Sequence, residues 1–406
     1  MGMAAAWVVS LGIVFLRRNL KWGQDSQFQN KPQRLHQHEV SRLGGIGIIL
    51  GLAAYAIFSV GPISGNMQPE PFPVWVVLVG LPVFGLGLIE DFTGAIAPRF
   101  RLGAAMLSAW AASFFLDSFL MLGDSGLAIQ VVMVLFTGLC VGGVVNAFNI
   151  IDGLNGLASG VAILSLSLLG FVANQVGDAL LVQLAVGTVC ATLGFLLVNY
   201  PHGRLFLGDG GAYLLGFLVA EMSVLLVVRH PSISWFFPLA CVIYPVTETL
   251  FSIYRRKMKR ADAQKPDALH LHTLVHKRLN HCGNGVPSRA ALANSLSTTF
   301  FWSWQVLSGL IILMIWDRTL LLIGYCVVQV GVYLGLYHML TRFKSPRWMR
   351  LIARPDTAQT EFNWGSWQPR ERAPVLSQIQ SDKKNTRSEK RINPPEDQVQ
   401  QTQLWS

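Results

Sequence analysis

The chain has 406 residues, 52% hydrophobic and only 13% charged, with a mean hydropathy of +0.43. Soluble domains carry about 25% charged residues, so this composition excludes an ordinary soluble fold and points to an integral membrane protein. The net charge of +10 calls for no nucleic acid, because the basic residues follow the topology of the spans.

Hydrophobic stretches near the ~20 residues that cross a bilayer core fall at about 2–16, 44–61, 73–89, 102–116, 127–145, 157–173, 180–199, 212–228, 235–253, 292–315 and 319–340. In the first, Arg17 and Arg18 follow the apolar run rather than precede it, unlike a signal peptide. Placing the N-terminus outside puts all of the 32 Lys and Arg residues on the inside except Arg229 and Arg318, as the positive-inside rule demands. The expectation is an all-α integral membrane protein of about eleven transmembrane helices, N-terminus outside and C-terminus cytoplasmic. Residues 1–342 form one polytopic membrane domain, and 343–406 read as a basic, mostly disordered cytoplasmic tail. Within the tail, Pro346–Ala353 is either a short amphipathic surface helix or a plain linker. The five cysteines make no CxxC and read as small apolar helix residues.

Carboxylates are few and stand where spans meet inside loops. Taken in chain order, Arg34, His36 and Arg42 in PQRLHQHEVSRLGG supply cations for phosphate. Gly44-Gly45 then permits a helix start or a close approach to backbone amides, while Gly47 and Gly51 also make a small-residue packing face. Glu90-Asp91 closes the third span, and Pro98-Arg99-Phe100-Arg101 follows. Adjacent carboxylates repel and persist where a cation or proton offsets them; a hard cation such as Mg²⁺ favours them. A helix cap is the bland alternative. In NAFNIIDGLNG, Asn146, Asn149 and Asp152 recur every three residues and make one polar stripe on a helix leaving the membrane. Asp209 in FLGDGG sits between glycines, either as a cap for the eighth helix or beside a cation or phosphate. In PDALHLHTLVH, His270 and His272 suit phosphate or pyrophosphate, with Arg255, Arg256 and Lys277 nearby. Zinc spacing is not met. Glu248 pairs with Arg256 or orients this loop; Glu221, buried in its span, has no specific role. Acidic residues facing one aqueous mouth with Gly-rich backbone indicate metal-dependent phosphoryl transfer.

Together PQRLH…RLGG, the acidic pair, NAFNIIDGLNGL, FLGDGGAYLLG and DALHLH, in order over about residues 30–280, resemble the polyprenyl-phosphate N-acetylhexosamine-1-phosphate transferases (glycosyltransferase family 4), which are related to the phospho-N-acetylmuramoyl-pentapeptide transferases. The resemblance implies transfer of a sugar-1-phosphate from a UDP-sugar to undecaprenyl phosphate with release of UMP. The setting would be the cytoplasmic face of a bacterial inner membrane, at the start of cell-envelope glycan synthesis. It implies Mg²⁺, or Mn²⁺ in its place, on Asp209 with Asp152. Asp91, Glu90 and Asp152 would be catalytic, Asp91 activating or positioning the lipid phosphate. Asn149 and Asp152 would face the nucleotide, and His270 and His272 the pyrophosphate or sugar. Asn146, Asn155, Arg34, His36, Arg42 and Arg101 complete the expected substrate contacts, and a homodimer is allowed. Three positions depart from the family pattern: Glu90 for the first Asp, Asn155 for a second Asp after Asp152, and Ala212 for Ser. The His motif lacks the consecutive histidines of the pentapeptide branch, which favours a simple N-acetylhexosamine donor. Glu90 and Asn155 also admit a catalytically impaired scaffold of a glycan-assembly complex. A secondary transporter would place its site near the midplane between repeats, whereas these motifs cluster at the inner boundary.

Overall fold

The computed structural model describes residues 1–20, 40–58, 72–94, 96, 98–116, 126–258, 269–282 and 287–342. Arg34, His36 and the tail from 343 lie outside the described residues. The described residues belong to one unit, Met1–Arg354. They are all-helical, with no β-strand among them. Six helices are long and apolar enough to cross a membrane: α3 (Val74–Thr93), α5 (Leu127–Ile151), α6 (Leu157–Gln175), α7 (Ala179–Asn199), α8 (Gly208–Arg229) and α13 (Thr319–Thr341). Helices α1 (Gly2–Leu20) and α2 (Gly44–Phe58) are shorter apolar helices, and α4 (Pro98–Leu116) and α12 (Pro287–Ile312) are long but less apolar. This is a multi-pass membrane protein.

Helix α8 is the axis of the fold. Nearly all of its residues are buried, and it packs against α2, α3, α4, α5, α6 and α7. A helix hydrophobic on every face belongs in the middle of a bundle. Around it, α1, α2 and α7 associate through small residues: a Cβ on Gly51 would stand 2.7 Å from the Ala6 Cβ, and one on Gly2 would stand 2.8 Å from the Gly51 carbonyl. Such residues let backbones approach where lipid supplies no hydrophobic drive. Gly47 and Gly51 are therefore packing residues.

The apolar stretch 235–253 is two helices, α9 (Phe236–Cys241) and α10 (Ile243–Met258). Pro245 explains the break. It has no N–H for the carbonyl four residues back, and its ring crowds that same carbonyl. The carbonyl belongs to Cys241, and it instead accepts Ser165 Oγ at 2.8 Å from α6 and Gln305 Nε2 at 2.7 Å from α12. A freed backbone group within a membrane protein is thus satisfied by neighbouring helices. Helix α11 (Leu271–Cys282) follows, packed on α12 and α13.

At the end of the bundle remote from the acidic motifs, Asp178 before α7 caps Leu181 N–H at 3.1 Å. Its other oxygen accepts Arg229 Nε at 2.6 Å and meets His230 Nε2 at 2.8 Å. Burial opposes its charge, but these donors hold the carboxyl below its usual range. The C-terminus of α8 is fastened there.

Candidate active site

The other end of α8 gathers the sequence motifs. Helix α3 ends on Gly94, left-handed at φ 63°, whose N–H returns to the Glu90 carbonyl, an αL stop. Glu90 and Asp91 therefore lie in the last turn of α3. Asp91 accepts Asp209 N–H at 2.9 Å on one oxygen and Gly210 N–H at 3.0 Å on the other. The first turn of α8 has no internal acceptor for these amides, so a carboxylate from another helix caps it. Asp209 is held inside that turn and is not the cap. Gly208 makes the fit possible: at φ 77°, a Cβ there would strike the Arg42 carbonyl and come within 2.6 Å of Asp91 Oδ2. The chain before α2 pairs with the chain before α8, Gly44 N–H and Gly45 N–H donating at 3.0 Å to the Phe206 and Leu207 carbonyls. The close approach offered by Gly44-Gly45 is thus to protein backbone.

Glu90 points to a different group of side chains. It pairs with Arg101 Nη1 at 3.0 Å and accepts the Tyr213 hydroxyl at 3.0 Å, while Arg101 also donates to that hydroxyl at 2.9 Å. Sequence reading missed Tyr213. Its spacing, four residues beyond Asp209, places it on the same face of α8 one turn deeper. That spacing was the available signal.

Helix α5 runs to Ile151 with Asp152 at its C-cap, so Asn146, Asn149 and Asp152 do share one helix stripe. Asn149 Nδ2 donates to Asp209 Oδ1 at 2.7 Å. Asn146 is half-buried, one turn farther up α5. Asp152 lies close enough to Asp209 to feel its charge. Burial and that repulsion push its carboxyl up to about 7, although Arg42 counteracts them. Arg42 Nη1 also stands 3.9 Å from Asp91.

The histidines reach the same mouth through Gly153, where a Cβ would fall 2.7 Å from His272 Nε2. His270 and His272 stack at 5.4 Å with an interplanar angle of 3°. Burial, then His270 and His276, hold His272 well below the usual histidine range, so it rests neutral over the Asp152–Gly153 turn.

Asn155 faces elsewhere. Its Nδ2 donates to the Pro201 carbonyl at 3.0 Å, its N–H to Asn294 Oδ1 at 3.1 Å, and its carbonyl accepts Thr298 Oγ1 at 2.8 Å. It ties the α7–α8 loop to α12. A carboxylate at this point could not donate to Pro201.

Arg42, Glu90, Asp91, Arg101, Asn149, Asp152 and Asp209 thus converge from four helices and two loops. The matching family description, glycosyl transferase family 4, covers residues 74–227, the segment that carries Glu90, Asp91, Arg101, Asn149, Asp152 and Asp209. Over that segment the chain is similar to glycosyl transferase family 4. Similar proteins include a probable undecaprenyl-phosphate N-acetylglucosaminyl 1-phosphate transferase of Bacillus subtilis, 26% identical over 66% of this chain and 76% of the relative. The decaprenyl-phosphate N-acetylglucosaminephosphotransferase of Mycobacterium tuberculosis is 28% identical over 60% of this chain and 67% of its own length. A phospho-N-acetylmuramoyl-pentapeptide-transferase of Moorella thermoacetica is 28% identical over 55% of this chain and 73% of its own.

The mouth offers oxygen donors that suit a hard divalent cation. Among the described residues no group of three or more metal-type side chains forms. Mg²⁺ needs no such cage, because it takes one or two carboxylates and completes its shell with water and substrate phosphates. Asp152 and Asp209, close enough to repel each other, are the two carboxylates that could serve as such a pair.

Proposed function

We propose that this transferase moves N-acetylhexosamine-1-phosphate from a UDP-sugar to undecaprenyl phosphate, releasing UMP, at the cytoplasmic face of a bacterial inner membrane. The product is the lipid-linked sugar that begins a cell-envelope glycan. The observation that carries this reading is the meeting of Asp91, Asp152 and Asp209, from the ends of α3, α5 and α8, at one mouth with Arg42 and Arg101 beside them. Relatives named for polyprenyl-phosphate N-acetylglucosamine transfer support the substrate class.

Phosphoryl transfer is mostly positioning and charge stabilisation. Asp152 and Asp209 would hold Mg²⁺, which when bound supplies Lewis-acid stabilisation of the pyrophosphate and of departing UMP. An oxygen of the lipid phosphate attacks the phosphorus next to the sugar; the bond from that phosphorus to the UMP oxygen breaks, and UMP carries away the electron pair. A phosphate monoester has a second pKa near ~6, so the nucleophile arrives largely ionised and needs no general base. Asp91, with both oxygens on α8 amides, fits a holding role better than a base role. Arg42 and Arg101 would offset the charge of the two approaching phosphates, and Asn149 keeps Asp209 oriented. Asp209→Asn should lower UMP release by at least about 100-fold, the scale of losing one electrostatic stabiliser. The assay uses purified protein, undecaprenyl phosphate, Mg²⁺ and a panel of UDP-sugars. Near-normal turnover by this variant would remove Asp209 from the metal.

A further inference from the structure

A buried carboxylate outside the acidic mouth remains to be explained. Glu248 on α10 is fully buried, with a relative exposure of 0%. It receives Leu271 N–H on both oxygens, at 3.2 and 3.0 Å, and the same Oε1 lies 3.1 Å from His270 Nδ1. Its Oε2 stands 3.9 Å from His272 Nδ1. Two turns along α10, Arg255 Nη1 donates at 2.7 Å to the Leu269 carbonyl, on the other side of His270. The backbone on both sides of His270 is thus fixed by α10, and α11 begins on a borrowed carboxylate as α8 does.

We infer that Glu248 is a positioning residue for the transfer reaction, selecting the ring tautomer of His270 and holding the stacked His270–His272 pair over the Asp152–Gly153 turn. A carboxylate already accepting from an amide can only accept from the imidazole as well. Nδ1 therefore carries hydrogen, and Nε2 is the nitrogen left for the pyrophosphate or sugar of the donor. The hydrogen bond on one ring nitrogen dictates what the other can do. The part of this inference that concerns turnover rests on the proposed reaction; the part that concerns the tautomer does not.

Glu248→Gln is nearly isosteric but offers one acceptor and one donor. The single amide oxygen must serve both Leu271 N–H and His270, and the N–H₂ opposes one of those donors, so the preference for hydrogen on Nδ1 weakens. In the full-length chain, this variant should fold and lose about 10–100-fold in kcat, the usual cost of removing such a supporting partner. KM for the UDP-sugar should change much less. His270→Gln combined with Glu248→Gln should be no worse than His270→Gln alone. Losses that multiply would overturn the coupling. Selective ¹⁵N-histidine NMR gives a readout independent of turnover, with His270→Gln assigning the signal. Wild type should show Nδ1 of His270 protonated, and Glu248→Gln should raise the share of rings protonated on Nε2; an unchanged tautomer ratio would overturn the inference. A wild-type signal protonated only on Nε2 overturns the inference even if the variant does not fold. If wild type releases no UMP from any UDP-sugar, the proposed reaction fails while the NMR result still decides the role of Glu248.

Discussion

Asp152 and Asn155 stand three residues apart and illustrate how one motif divides its labour. Asp152 is raised to about 7 from 3.8 by burial and by Asp209. A carboxyl whose folded pKa lies above its unfolded value stabilises the fold at low pH, and that contribution is lost as pH climbs from 3.8 to about 7. In EDTA, Asp152→Asn should therefore flatten the decline of the wild-type melting temperature across this window, and Mg²⁺ at pH 8 should rescue the wild type more than the variant. Parallel curves for the two proteins would refute the assignment. Asn155→Asp replaces the donor to the Pro201 carbonyl with an acceptor. Leaving that buried pair mismatched should cost about 1–3 kcal/mol of stability. Once folded, the variant should keep its KM for the UDP-sugar; a large rise in KM would return Asn155 to the substrate. The stripe Asn146, Asn149 and Asp152 was legible because polar residues in helical register are rare in an apolar chain, and α5 carries it. The role of Asn155 was not, since its partners Pro201, Asn294 and Thr298 are 46, 139 and 143 residues away.

Among the elements, the broken segment α9–α10 shows where local reading fails and why. Composition marks 235–253 as one apolar span, and only the ring of Pro245 against the Cys241 carbonyl divides it. Whether such a proline kinks or splits a helix depends on who takes the freed carbonyl, and Ser165 and Gln305 belong to distant helices. Interhelical hydrogen bonds in membrane proteins average about 0.6 kcal/mol. Ser165→Ala and Gln305→Leu should each destabilise by about that amount, and together by more than their sum, because either donor partly covers for the other. Strict additivity in detergent unfolding would show that the carbonyl needs neither. The same lesson applies to α8. Its glycines and Asp209 announce a special helix start, yet the cap is Asp91, 118 residues earlier.

For the whole molecule, the distribution of Lys and Arg sets the expected orientation, and the acidic mouth and the Asp178 end lie at opposite ends of α8. In a cysteine-free background, Ser232→Cys should react with an impermeant maleimide in intact cells, and His202→Cys only after permeabilisation. The opposite pattern would turn the catalytic mouth away from the cytoplasm. That the chain is a bundle of apolar helices was plain from composition. That α8 would be its axis was not, because every span is apolar and only packing reveals which one the other helices enclose.

Helix α8 is moored at both tips by acids from other helices, Asp91 below and Asp178 above. Neither tip can slide without tearing a cluster of charged or amide partners, so the level of Asp209 relative to the leaflet is set like a mark on a ruler. Thinner or thicker bilayers should then be accommodated by tilting α13, the least buried of the long apolar helices, leaving the height at which a lipid headgroup must present its phosphate unchanged.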